Sequence, residues 1–338
     1  MSTSNVSLLG QTNAQSQRLA DLRQQMDNLS RQVTTGQISD TYSGLGTSAE
    51  PLLNLNSQQP LLQSYQNNIA TVSNTMTLMN NALTNISDVG NQLVTAIQTQ
   101  LQNSPTNLLN VQQMAKQGLQ TVEAMINQNN NGKYLFAGSD SGTPPFTDNS
   151  TLNSNIQNQA TSWLATGDTA TYNNTVNGFS ATNLGLSAGL AASGNVTTQI
   201  GDNQTVDYTI KANQPGFQDI IRALTIVANT PYPSNADVAT PADFQSVMNN
   251  ALTTAQKGVQ EINNTTQQLA GKFDLVNAAK TTNTSDLTLV QNQISTLENA
   301  DTTTAISEMQ ALQTQLTASY QVTNMVSKLS LVNFITIG

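Results

Sequence analysis

The sequence predicts a mainly α protein: long coiled-coil-like helices run in from both termini and pack as a rod, with a small β-rich region inserted in the middle. Three observations predict it. Apolar residues recur in steps of three and four through both ends of the 338-residue chain, the seam spacing of packed helices. That period disappears over residues 139–213, where Gly, Thr, Asn and Ser dominate. Only 9% of residues are charged, so polarity rests on amide and hydroxyl side chains, which pack against copies of themselves with little charge repulsion.

The elements follow in chain order. In "QRLADLRQQMDNLSRQVTTGQ", Leu19, Leu22, Met26, Leu29 and Val33 form a heptad seam, with Arg18, Asp21, Arg23, Asp27 and Arg31 off it. Gly36 is the expected stop, because glycine adopts the left-handed conformation cheaply. A second seam runs from Leu62 through Tyr65, Ile69, Val72, Met76, Met79, Leu83, Ile86, Gly90 and Leu93 to Ile97. Gly90 falls on it, which points to close helix packing. Pro105 marks a turn, and "TNLLNVQQMAKQGLQTVEAMINQ" reads as a third helix folding back on the second.

Residues 139–213 read as strand-rich with long loops. In "QTVDYTIKA", alternation places Val206, Tyr208 and Ile210 on one face of a strand. Trp163 is expected in the core of this middle region. Helical signals resume at "QPGFQDIIRALTIVANT", break at "TPYPSN" and restart at Pro241, an N-terminal helical proline. The next seam passes from Phe244 through Met248, Ala255, Gly258, Ile262, Leu269 and Val276 to Leu297. The last stretch carries Ile306, Met309, Leu312, Leu316, Tyr320, Val326, Leu329 and Phe334, with Lys328 its only charge after Glu308. So apolar a helix is not a stable free rod and needs a partner. The simplest packing pairs it with the N-terminal helix. Such seams serve equally as intramolecular bundle cores and as surfaces that neighbouring chains cover.

Composition excludes several function classes. A net charge of -9 speaks against nucleic acid and anionic membrane surfaces as partners. With no His and no Cys there is no thiol nucleophile, no His-based triad and no ordinary zinc site. Asp140, Asp148, Asp168 and Asp202 lack the ligand spacing of a calcium loop, and "GLGTSAEP" and "GKYLFAG" lack that of a phosphate loop. Glu298, Asp301 and Glu308 suit a helix start better than an active site. A carboxylate-dependent hydrolase or lectin would need paired acids that residues 150–200 do not supply beyond Asp168. No enzyme activity, cofactor or metal site is expected. The N-terminus reads as no cleavable signal peptide and no run reaches membrane-spanning length. The expectation is cytosolic residence or exit by a leader-independent route.

The ordered stretches "LSRQVTTGQISDTYSGLG", "NGKYLFAGSDSGTPPF", "ISTLENADTTTAISEMQALQTQLTASYQ" and "SKLSLVNFI" resemble the flagellin superfamily of bacterial flagellar axial proteins. The second is most similar to the hook-filament junction members, and "TYSGLG" to their alphaproteobacterial form. The resemblance covers about residues 1–146 and 217–338 and leaves the middle untouched. It implies terminal helical segments 1–40 and 300–338 (D0-like), a helical rod of 41–138 and 214–299 with a β-hairpin (D1-like), and a β-rich outer domain of 139–213 (D2-like). It also implies a hook-associated structural subunit joining hook to filament, or alternatively flagellin itself. The implied partners are copies of the same protein in a ring, the adjacent hook-associated protein FlgK, flagellin, an export chaperone and the flagellar type III export apparatus. The implied location is the extracellular flagellum. On this reading Leu19, Leu22, Met26, Leu29, Val33, Met309, Leu312, Leu316, Val326 and Leu329 form the assembly interface. Tyr134, Leu135, Phe136, Gly138, Pro145 and Phe146 mark a hairpin that leads into the outer domain.

Overall fold

A computed structural model of the protein describes residues 3–102 and 108–335, with side chains at 3–9, 11, 12, 149 and 326–335 outside the description. It is mainly helical with two small two-stranded antiparallel sheets, as the sequence predicts. The turn expected at Pro105 lies outside the described residues. The protein divides into two compact units, Met1–Gln63 with Ser285–Gly338, and Ser64–Thr284.

In the first unit, α1 (Thr3–Thr35) packs along α8 (Thr302–Ile335), the pairing the terminal seams predict. α1 stops as expected. Gly36 takes φ 73° and its N–H donates to the Gln32 carbonyl at 2.9 Å, the left-handed ending that glycine makes cheap. A 3-10 segment, Tyr42–Ser48, then leads into α2 (Ala49–Gln102).

The second unit holds most of α2, together with α3 (Leu108–Ile126), α6 (Pro215–Asn229) and the greater part of α7 (Pro241–Glu298). Helix α6 is its centre. All its residues from Phe217 to Ala228 except Gln218 are buried, the polar Asp219, Arg222 and Thr225 among them. The α2 seam from Tyr65 to Ile97 is buried as well. α3 lies against α6 rather than chiefly on α2. It reaches both through Gly118, where a Cβ would stand 2.9 Å from Leu224 and 3.0 Å from Val89. A tighter notch occurs at Gly90, on α2. A Cβ there would lie 2.5 Å from Val259 on α7 and 2.7 Å from Ile220 on α6, so glycine is what lets these helices approach.

Residues 139–213 depart from the strand-rich expectation. They contain two helices, α4 (Asn149–Thr166) and α5 (Thr169–Asn177), before the hairpin of β3 (Thr197–Gly201) and β4 (Gln204–Asp207). They also share one hydrophobic core with α2, α3, α6 and α7. Three features make α4 a helix. The Asp148 carboxylate accepts from the N–H groups of Ser150 and Thr151, Gly167 ends it at φ 67°, and Leu152, Ile156, Ala160 and Trp163 are buried at helical spacing. Asn, Gln, Ser and Thr between these four residues conceal the period. Trp163 is a core residue, as expected: its ring packs on Tyr172 at 5.9 Å and its Nε1 donates to Thr169 at 3.0 Å. The alternation in "QTVDYTIKA" also holds in part, with Val206 and Ile210 buried and Tyr208 half-buried.

Candidate assembly site

The terminal pair is built from two heptad rows. On α1 the row of Leu19, Leu22, Met26, Leu29 and Val33 is the less exposed side of the helix, and each member is half-buried. On α8 the inward row is Ala305, Met309, Leu312, Leu316, Ser319 and Thr323, with Ala305 and Leu316 buried and the others half-buried. Met309, Leu312 and Leu316 therefore lie where the seam predicts. Ile306 and Tyr320 do not: they are 40% and 41% exposed, because the row runs one position earlier, through small Ala305 and Ser319. Val326 and Leu329 are helical in α8, but their side chains lie outside the described residues. Arg23 stands over the Tyr320 ring, 5.5 Å from its centroid, and its Nε donates to the hydroxyl at 2.9 Å. This tie joins the two helices outside the apolar rows, with the guanidinium over the aromatic face.

The segments leaving α1 and entering α8 run side by side. Ile38 N–H donates to the Glu298 carbonyl at 2.7 Å and Ala300 N–H to the Gly36 carbonyl at 2.9 Å, an antiparallel bridge of Gln37 with Asn299. Asp301 then caps α8, accepting from the N–H groups of Thr303 and Thr304 at 3.0 and 3.1 Å. A polar pocket of about 340 Å³ opens beside this crossing, lined in part by Arg31, Gln37, Ser39 and Asp40. In the same unit, α2 and α7 form an apolar groove of about 460 Å³ lined by Pro51, Leu55 and Leu297.

The hairpin motif lies in the second unit. β1 (Asn129–Asn130) and β2 (Lys133–Tyr134) pair antiparallel across a two-residue loop. Both loop residues have positive φ, 52° at Asn131 and 79° at Gly132, the twist that suits a tight hairpin. The strand is short, ending at Tyr134, and Leu135, Phe136 and Ala137 after it are buried. The Phe136 ring meets that of Phe217 at 5.3 Å and its carbonyl accepts from Ala212 N–H at 2.9 Å. At Gly138 (φ 65°) a Cβ would meet the Gly194 carbonyl at 2.9 Å. Pro145 and Phe146 are buried, and the Asn127 amide brackets Phe146, donating to its carbonyl and accepting from its N–H, both at 2.9 Å. Tyr134 alone of the six motif residues is half-exposed. The motif is therefore an anchor: it fastens the backbone after α3 to α6 and to the residues that follow.

The acidic residues have local structural work. Asp148 is held well below the usual carboxylate range by the Ser150 hydroxyl and by the Thr151 hydroxyl and N–H. Asp168 is lowered by the Thr171 hydroxyl and N–H, Asp243 by those of Thr240, and Asp301 by those of Thr304. These four serve as helix caps or cap partners. Sequence reading missed the buried pair Asp219 and Arg222 on α6. The Arg222 guanidinium bonds Asp219 and donates through Nε to the Val176 carbonyl at 3.0 Å and through a terminal nitrogen to that of Phe179 at 3.2 Å, tying the end of α5 to α6. Lys257 stands 3.1 Å from the other Asp219 oxygen. Among the described residues no group of three or more acidic side chains is placed to hold a metal ion, and no helix is long and apolar enough to cross a membrane.

No family model matches the sequence, and no curated protein matches it. Solved structures do match the fold. A candidate flagellar hook-associated protein from Vibrio parahaemolyticus superposes with a TM-score of 0.52 at 12% identity, over 74% of this chain and 96% of that one. FlgL of Bacillus cereus superposes with a TM-score of 0.52 at 14% identity, over 72% of this chain and 99% of that one. The protein has the fold of flagellar hook-associated proteins.

Proposed function

We propose that this protein is a structural subunit of the bacterial flagellum: a hook-associated junction protein of the FlgL type, in its alphaproteobacterial form, connecting the hook to the flagellin filament. The observation that carries the reading is the shared fold, which takes in nearly the whole length of two hook-associated proteins. The motif stretches around Gly36, Phe136 and Asp301 support it, because each is a structural joint: a helix stop, an anchored hairpin and a helix cap. The action is mechanical and non-enzymatic. Subunits leave the cell unfolded through the flagellar type III apparatus and build a short ring between FlgK and flagellin. Segments 1–40 and 300–338 line the inside of that ring. Segments 41–138 and 214–299 form the tube around them, and 139–213 faces outward. The rows of α1 from Leu19 to Val33 and of α8 from Met309 to Leu329 are completed by neighbouring copies.

Deletion of the gene tests this. The expected strain keeps its hooks and sheds flagellin into the medium; normal filaments in the deletion strain refute the junction role. Stoichiometry separates the flagellin alternative, since a junction subunit is a trace component of sheared filaments and flagellin is their bulk. Removing residues 1–35 or 305–338 is expected to abolish incorporation while residues 64–284 stay folded. Incorporation of either truncated protein overturns the assignment of the terminal rows as the assembly surface.

A further inference from the structure

Two Asn-Gly pairs occur in the sequence, Asn131–Gly132 and Asn177–Gly178, and the fold treats them oppositely. Glycine lacks the Cβ that would shield its own nitrogen, so Asn-Gly is the pair at which the backbone nitrogen most readily attacks the preceding amide. In that reaction the glycine nitrogen bonds to asparagine Cγ and loses its proton, the bond from Cγ to Nδ2 breaks, and ammonia departs with that proton. Water then opens the five-membered imide at either carbonyl, leaving aspartate or isoaspartate. Solvent water is the sole co-reactant.

The first pair is open to solvent. Asn131 and Gly132 are exposed, both sit in the two-residue hairpin loop, and a Cβ built on Gly132 meets no atom within 4 Å. At the second pair both reacting groups are engaged. The Asn177 amide donates to Asn250 Oδ1 at 3.0 Å and accepts from Asn250 Nδ2 at 3.3 Å. The attacking nitrogen, that of Gly178, donates to the Asn174 carbonyl at 3.0 Å at the end of α5.

We propose that Asn131 is a site of spontaneous deamidation and isomerisation, and that the Asn250 amide and the end of α5 protect Asn177 from the same reaction. The consequence falls on the hairpin. Isoaspartate adds a methylene to the backbone of a loop whose register, Asn130 opposite Lys133, requires two residues of ordinary length. The pairing beside it, Leu135 N–H to the Gln128 carbonyl at 3.0 Å, loosens with it.

The experiment ages the full-length protein at mildly alkaline pH and measures conversion by peptide mass spectrometry and enzymatic methyl labelling of isoaspartate. Asn131 is expected to convert at least about tenfold faster than Asn177, equivalent to about 1.4 kcal/mol in barrier. In urea the two are expected to convert at comparable rates, and Asn250→Ala is expected to speed position 177 alone. The isolated isoaspartate form is expected to lose amide protection over residues 128–135. Equal rates in the folded protein overturn the proposal, as does the same ratio persisting in urea, which would place the selectivity in sequence rather than fold. Unchanged protection over 128–135 overturns the claimed effect on the hairpin.

Discussion

Replacing Gly90 with alanine sets two effects of opposite sign against each other, and the structure decides between them. In an open helix interior the exchange stabilises by about 1 kcal/mol. At Gly90 the new methyl would lie 2.5 Å from Val259 Cγ2 and 2.7 Å from Ile220 Cδ1, where carbon atoms need about 3.5 Å or more. Val259 is β-branched and inside a helix, so it holds one rotamer and does not swing aside. Ile220 is fully buried in α6. Overpacking of this kind costs about 1–3 kcal/mol, so after the propensity gain a net loss of up to about 2 kcal/mol is expected. The assay is urea unfolding followed by the fluorescence of Trp163, the single tryptophan, which belongs to the same unit. Gly271→Ala is the control, because a Cβ there meets nothing within 4 Å, and it should stabilise by up to about 1 kcal/mol. Ile220→Val removes the atom at 2.7 Å and should cost less in the alanine background than alone. A higher unfolding midpoint for Gly90→Ala would refute the packing argument.

Other outcomes follow from the same structure. Arg222→Leu leaves the Asp219 carboxylate buried with only the exposed Lys257 beside it and should cost about 3–5 kcal/mol. Urea unfolding should show the double exchange Asp219→Leu with Arg222→Leu to be milder. Leu316→Ala removes a buried contact from the terminal pair and should cost about 2–3 kcal/mol, read as lost amide protection along α1 and α8. The capping carboxylates of Asp148, Asp168 and Asp301 are lowered by the fold. Their contribution to stability is therefore fully present above the ordinary carboxylate range and is lost as pH falls through their depressed values. Asp148→Asn keeps an acceptor at the cap without that titration, so an acid titration followed by circular dichroism should be shallower for the variant.

What was legible in the sequence depended on whether period and residue size agreed. Along α2 they do: Tyr65, Ile69, Val72, Met76 and Met79 are the bulky residues and also the inward ones. Along α8 they part company. The geometry turns small Ala305 and Ser319 inward while Ile306 and Tyr320 stay outside, and a reading guided by bulk takes the larger residue. Helices α4 and α5 were hidden for a related reason, since six buried residues are spread through a background of poor helix formers that the Asp148 and Asp168 caps make tolerable. The Asp219–Arg222 pair was invisible because burial of a charge is set by the partners that surround it, here the carbonyls of Val176 and Phe179, more than 40 residues away in sequence. The hairpin motif, by contrast, announced itself through Asn131 and Gly132, whose residue types fit the positive φ they adopt.

The two units bury their seams to different depths, and the number of helices around each seam explains it. The α2 row in the second unit faces α6 and α7 together, with α3 closing over α6, so Met76, Leu83 and Ile86 are fully enclosed. The α1 row has α8 as its packing partner within one molecule. Two helices in contact cover each other along one line and leave both flanks of that line open, and every member of the α1 row is half-buried. The surrounding side groups supply little reason to remain in water as a charged face would: from Thr302 to Ile335, Glu308 and Lys328 are the only charges. A helix pair with an apolar row half covered, and with an α8 flank of neutral amides and hydroxyls, gains from a further helix laid against that flank with few ions to displace. That is the physical ground for expecting copies of the same protein, rather than a charged ligand, to complete the terminal pair.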